Sequence, residues 1–249
     1  MQFSLISLLS RRRKYYSQAG EDGLIEFMLS RLPTQDCWCV EFGAWDGRFL
    51  SNCFHLMRKH TYRGVLIEMD PSRFNDLVSN TEDLNVVCIN RLVDLEPPNL
   101  LDQILSETDI PRDFDLLSID IDGDDYFVWK TLQEYAPKIV VVEINVRDVP
   151  GVRRINQQRS PFVWGVSGTS ATSMTELAKS KGYALVVIIG CNAVYVREEF
   201  LHIFHSREPT VAEAFTFEGF TWAESSWRVR ARKILVKSSL AVSRWRQCR

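Results

Sequence analysis

Five short, almost unbroken apolar runs punctuate the first part of the chain, at residues 37–42, 64–68, 85–89, 114–120 and 138–144. Each is rich in branched or aromatic residues and lacks the polar alternation of a half-exposed strand. That pattern predicts strands covered on both faces, as in a parallel sheet. Between them lie stretches with helical spacing, at 50–60, 71–80, 98–107 and 124–135. Pro71 suits a first helical turn, and Asp124 and Asp125 suit the positive end of a helix. A further helix is predicted over 15–33, ahead of the first strand. After residue 145 the rhythm breaks. Residues 146–170 are polar, basic and irregular, and a loop of that length usually carries function or is disordered. A helix over 172–181 follows, then strands at 183–189 and 192–197. Only Gly190 and Cys191 join these two strands, so they must form an antiparallel hairpin.

The expected fold is therefore α/β: a doubly wound, Rossmann-like, seven-stranded and mostly parallel sheet with an antiparallel terminal hairpin. Charge divides the 249 residues further. The formal net charge is only -2, but residues 1–14 and 228–249 carry basic residues and no acids, so all 32 acids lie between them. We divide the chain into a basic N-terminal extension (1–14), an α/β domain (15–223) and a basic amphipathic C-terminal tail (224–249). An acidic body does not fit a nucleic-acid enzyme with a basic cleft. The basic ends suit peripheral contact with anionic lipid or a phosphorylated partner. No apolar run is long enough to span a bilayer, and the N-terminal charges follow the apolar residues instead of preceding them. The six cysteines form no CxxC pair and no zinc spacing with histidine. Cys37 and Cys39 read as core thiols, in keeping with a reducing cytoplasm.

The candidate chemistry begins at Val40-Glu-Phe-Gly-Ala-Trp-Asp-Gly47, where a strand ends in an acid and a turn with two glycines. Gly43 and Gly47 tolerate backbone angles and close approaches that a side chain would block. Backbone N–H groups after such a turn can face a nucleotide-like ligand, with Glu41 over the same crevice. The turn belongs to a set of four segments. The others are Tyr16-Ser-Gln-Ala-Gly-Glu-Asp22, Val65-Leu-Ile-Glu68 and Ile119-Asp-Ile-Asp-Gly-Asp-Asp-Tyr126. In this order and spacing they resemble the FkbM-type S-adenosylmethionine-dependent methyltransferases, over about residues 15 to 197. Trp45 stands where the commonest methyltransferase turn has its middle glycine. The resemblance implies a seven-stranded fold ending in a hairpin, S-adenosylmethionine as cofactor, and methylation of a sugar or secondary-metabolite hydroxyl.

It also gives roles to particular residues. Glu41, Gly43, Ala44, Asp46 and Gly47 would bind the amino-acid end of the cofactor. Glu68 would accept the ribose hydroxyls; Asp94 either lies beside adenine or is an ordinary surface-loop acid, and Asn52 is a candidate helix-side contact. Glu68 does not separate S-adenosylmethionine from NAD, since both carry adenosine. Asp120, Asp122, Asp124 and Asp125 cluster after the fourth strand, and Glu143 and Asn145 close the fifth. Asp122 is the first candidate for a base at the acceptor, with Asp120 and Glu143 behind it. Such acids can hold Mg²⁺ through oxygen, but none is expected, and the metal question stays open. Asp124 or Asp125 can instead cap the next helix. Gln18, Glu21 and Asp22 either fold over the cofactor or cap the helix behind them. His55 and His60 have no partner in sequence, and His202 and His205 suit a surface helix face. The acceptor would be a small molecule or glycan, met by the 146–170 segment. Two other readings remain: a cofactor-fold protein that binds without turnover, and a nicotinamide oxidoreductase. A phosphate loop of the ATPase type is absent.

Overall fold

The computed structural model describes residues 3–121, 123–161, 163 and 166–215. Among them, seven strands form one sheet: β1 (Trp38–Phe42), β2 (Arg63–Ile67), β3 (Val86–Ile89), β4 (Leu116–Ile119), β5 (Ile139–Glu143), β6 (Tyr183–Ile189) and β7 (Asn192–Arg197). Their order is β3-β2-β1-β4-β5-β7-β6. The first five pair in parallel, and β7 enters antiparallel between β5 and β6. The fold is the α/β, Rossmann-like sheet with a terminal hairpin that the apolar runs predict. Gly190, at φ +57°, turns the hairpin.

Alternate residues of each strand feed two cores. Val40, Phe42, Val65, Ile67, Leu117, Ile119, Val140 and Val142 face one side. There they meet α5 (Leu101–Ser106), α6 (Asp125–Thr131), α7 (Ala171–Ser180) and α9 (Val211–Phe215). Cys39, Leu66, Leu116, Ile139 and Val141 face the other side. Their partners are α1 (Leu5–Leu9), α2 (Glu21–Leu29), α3 (Phe54–His60), α4 (Pro71–Asn80) and α8 (Leu201–Phe204). Apart from the edge strand β3, both faces are buried, which is why those strand sequences lack a polar stripe. Leu8 and Leu9 of the basic N-terminal stretch join this second core.

Several boundaries differ from expectation for local reasons. The helix predicted over 50–60 begins only at Phe54. Asp46 accepts the N–H groups of Arg48 and Phe49, and Leu50 sits at φ +58°, so the chain loops before it coils. Ser51 Oγ then accepts from Cys53 and Phe54 N–H and starts α3. The helix predicted from residue 15 begins at Glu21, because the Asp22 carboxylate ties Tyr15, Tyr16 and Ser17 N–H into a loop. The start at Pro71 is as expected, with Asp70 capping Ser72 and Arg73. His205 is buried, against the surface position expected of it, because its Nε2 bonds the Val186 carbonyl at 2.8 Å. Cys37 is only half-buried, whereas Cys39 is fully buried. The tail from 224 and Asp122 lie outside the described residues. No described helix is long and apolar enough to cross a membrane.

Candidate active site

The strand order reverses direction at β1, which is flanked by β2 and β4. In open α/β sheets a crevice forms beyond the carboxyl ends of the strands at such a switch point. Glu41 and Glu68 sit there, at the ends of β1 and β2, and both are buried.

Glu41 accepts from the Ser51 hydroxyl at 2.5 Å and from Asn52 N–H at 2.8 Å. Asn52 in turn donates its side-chain amide to Ser118 Oγ on β4 at 3.0 Å. The buried Asn52 Oδ1 has no hydrogen-bond donor among the described residues. Burial, and then the neighbouring Asp120 charge, push the Glu41 carboxyl up to about 7, against the hydrogen bonds that favour its ionised form. This corner is rich in acceptors, and a cation would complete it.

Glu68 bridges two loops. One oxygen accepts from Trp45 N–H in the first turn at 2.9 Å, and the other from Asp70 N–H at 2.7 Å. Trp45, at φ +55°, lies under the Arg73 guanidinium at 4.1 Å.

The turn itself is wired inward. Ala44 N–H bonds Ile67 O, Gly47 N–H bonds Ala44 O, and Arg48 and Phe49 N–H go to Asp46. These N–H groups, expected to face a ligand, are spent within the chain. The glycines also answer to packing. A Cβ on Gly43, at φ +69°, would lie 2.0 Å from the Asp120 carbonyl, and one on Gly47, at φ +75°, would press on Thr81 and Leu77.

On the far side of β1, Ile119 pairs with Val142, so Asp120 and Glu143 leave adjacent strands at one level. Asp125 points back and accepts from Ile121 and Gly123 N–H, both at 2.9 Å. Burial raises its carboxyl to about 6. Asp124 accepts Arg159 N–H. Asp124 and Asp125 therefore shape the β4–α6 turn. Asp94 pairs with the Arg159 guanidinium at 3.0 Å. Burial opposes its ionisation, but Leu95 N–H and Arg159 outweigh it and hold the carboxyl low. Arg159 thus straps the 146–170 segment across the ends of β3 and β4. Arg154 bonds Asp148 and the Val166 carbonyl, and Asn145 bonds Ser167 O at 2.9 Å, so much of that segment's polarity holds the segment itself.

The 16–22 segment closes the other flank. Glu21 is fully buried and accepts from Asn192 Nδ2 at 2.8 Å and Ala19 N–H at 2.6 Å. Asn192 pairs with Glu143 in the sheet. Glu21 therefore reaches the strand ends, while Asp22 organises its own loop. Sequence reasoning missed Ser51, Ser118 and Arg159. Ser118 carried a signal, as a polar residue within an apolar run.

No protein-family profile matches the chain, and no curated protein matches it. Among solved structures it is similar to a SAM dependent methyltransferase from Aquifex aeolicus, at 14% identity over 69% of this chain and 87% of that one, with a TM-score of 0.43. It is similar to precorrin-6y C5,15-methyltransferase from Geobacter metallireducens GS-15, at 15% identity over 74% and 92%, TM-score 0.44. It is also similar to magnesium protoporphyrin IX methyltransferase from Synechocystis PCC 6803 with bound SAH, at 8% identity over 71% and 81%, TM-score 0.46.

Proposed function

We propose that the protein is an S-adenosylmethionine-dependent methyltransferase of the FkbM type, acting on a hydroxyl of a sugar or secondary metabolite. The observation that carries the reading is the corner beyond β1 and β2. There Glu41, Glu68 and the unmatched Asn52 Oδ1 offer acceptors to a ligand with an ammonium and a ribose diol. The four sequence segments that resemble the family converge on that corner or its flanks.

When bound, the cofactor supplies a methyl group already activated on a sulfonium. The chain's task is then alignment and proton management. Glu41 and Asn52 Oδ1 would hold the ammonium, and the Gly43–Gly47 turn would fix the position of that end. Glu68 would accept the ribose hydroxyls, and the loop held by Asp94 and Arg159 would cover the adenine side. Asp120 and Glu143, level with one another beyond β4 and β5, would face the acceptor. Asp122 remains the proposed base on sequence grounds, and the 146–170 segment the proposed acceptor wall.

Transfer of a labelled methyl group to polyhydroxylated acceptors tests the chemistry. Asp122→Asn is expected to keep cofactor binding and lose transfer by more than about 100-fold, the usual contribution of a general base. Transfer at the wild-type rate in that variant would remove Asp122 from the mechanism.

A further inference from the structure

A second group of side chains converges on the α2–α3 face of the molecule. Glu26 lies on α2, and His55 and His60 lie on α3. His60 Nε2 is 2.6 Å from Glu26 Oε1, and His55 Nε2 is 3.3 Å from Glu26 Oε2. One ligand atom from each residue lies within 4.8 Å of the other two. Both imidazoles therefore turn the same nitrogen toward one carboxylate.

We propose that Glu26, His55 and His60 form a binding site for a zinc-class divalent ion. Two imidazole nitrogens and a carboxylate are a common three-ligand set for Zn²⁺, with a fourth position left for water or another ligand. A tetrahedral ion with bonds of roughly 2.0–2.1 Å spaces its donors roughly 3.4 Å apart. The 3.3 Å pair already meets that spacing, and the closer His60 is only half-buried, with room to withdraw by a side-chain rotation.

The surroundings favour ligation. His55 is held flat against the Tyr15 ring, with centroids 3.8 Å apart and planes at 3°. A cavity of about 500 Å³ adjoins the cluster, lined by Glu26 and His60 together with Arg11, Arg13, Cys37 and Tyr62. Lys59 Nζ, 3.6 Å from Glu26, is the competing cation. It is exposed and lies 5.7 Å from the centre of the Tyr15 ring, so it has another seat when an ion arrives. Neither histidine could be paired from sequence, because Glu26 lies about 30 residues upstream on another helix.

The test uses the full chain after chelator treatment, titrated with Zn²⁺ by calorimetry and with Co²⁺ by visible absorption. One equivalent of Zn²⁺ is expected to bind and raise the Tm, and Co²⁺ is expected to give a four- or five-coordinate spectrum without thiolate charge-transfer bands. His60→Asn and Glu26→Gln, both at partly exposed positions, should each weaken Zn²⁺ by more than about tenfold, the least that loss of even a ligand's supporting partner costs. Cys37→Ser should leave it unchanged. Binding that persists in both ligand variants, or no binding by the wild-type chain, would overturn the site.

Discussion

At the scale of single residues, Glu41 is the most informative group. An acid whose folded pKa lies above its unfolded value holds its proton longer in the native state. Its ordinary value is 4.5 and its buried value about 7. Stability therefore falls as pH rises through that window, by about 3 kcal/mol at most. Urea unfolding at pH 5 and pH 8 should show wild type losing about 2 kcal/mol more than Glu41→Gln across that interval. Parallel profiles would show that Glu41 ionises normally. Binding of a cationic ligand beside Glu41 has the opposite dependence and should tighten as pH rises through about 7. Gly43 gives a sharper steric test. Its positive φ and the Asp120 carbonyl 2.0 Å from a built Cβ both forbid a side chain. Gly43→Ala should cost more than about 2 kcal/mol by thermal or denaturant unfolding. Part of the glycine signal in the sequence is thus contact between the β1 and β4 ends, which a ligand-centred reading leaves out.

At the scale of elements, the strands were legible because burial on both faces leaves continuous apolar runs. All seven lie within a residue or two of their expected positions. The β1–α3 connection was not legible. Nothing local shows that Asp46 would capture two N–H groups or that Leu50 would turn left-handed, and so the helix starts late. Contacts between distant elements were hidden for the same reason. Arg159 to Asp94, Glu21 to Asn192 and Glu26 to His60 each join side chains that only the finished fold brings together. The lower rim of the sheet carries another such contact. Lys138, before β5, is buried with its ammonium against Asp115 at 2.7 Å and against Asp36. Asp115 also accepts Cys37 N–H at 2.8 Å, so this cluster ties the starts of β1, β4 and β5 together. Lys138→Met would leave a buried carboxylate without its counter-ion and should cost about 3 kcal/mol in chemical denaturation. A change below 1 kcal/mol would mean the charges are solvated.

For the molecule as a whole, the sheet order places β1 at the reversal of direction, where open α/β sheets form their ligand crevice. Three sections of chain meet there. The 16–22 segment reaches β7 through Glu21 and Asn192, the first turn is fastened to Glu68, and the 146–170 segment is strapped by Arg159. A cationic and hydroxyl-bearing ligand bound there would offset the desolvation of the buried acids. In the proposed function this ligand is S-adenosylmethionine, and calorimetric titration with its demethylated product is the deciding measurement. The wild-type chain is expected to bind S-adenosylhomocysteine and not NAD. Glu68→Ala, which removes the acceptor for the ribose hydroxyls, should bind at least about tenfold more weakly, the equivalent of one lost charged hydrogen bond. Failure of the folded wild-type chain to bind either S-adenosylmethionine or S-adenosylhomocysteine would contradict the claim.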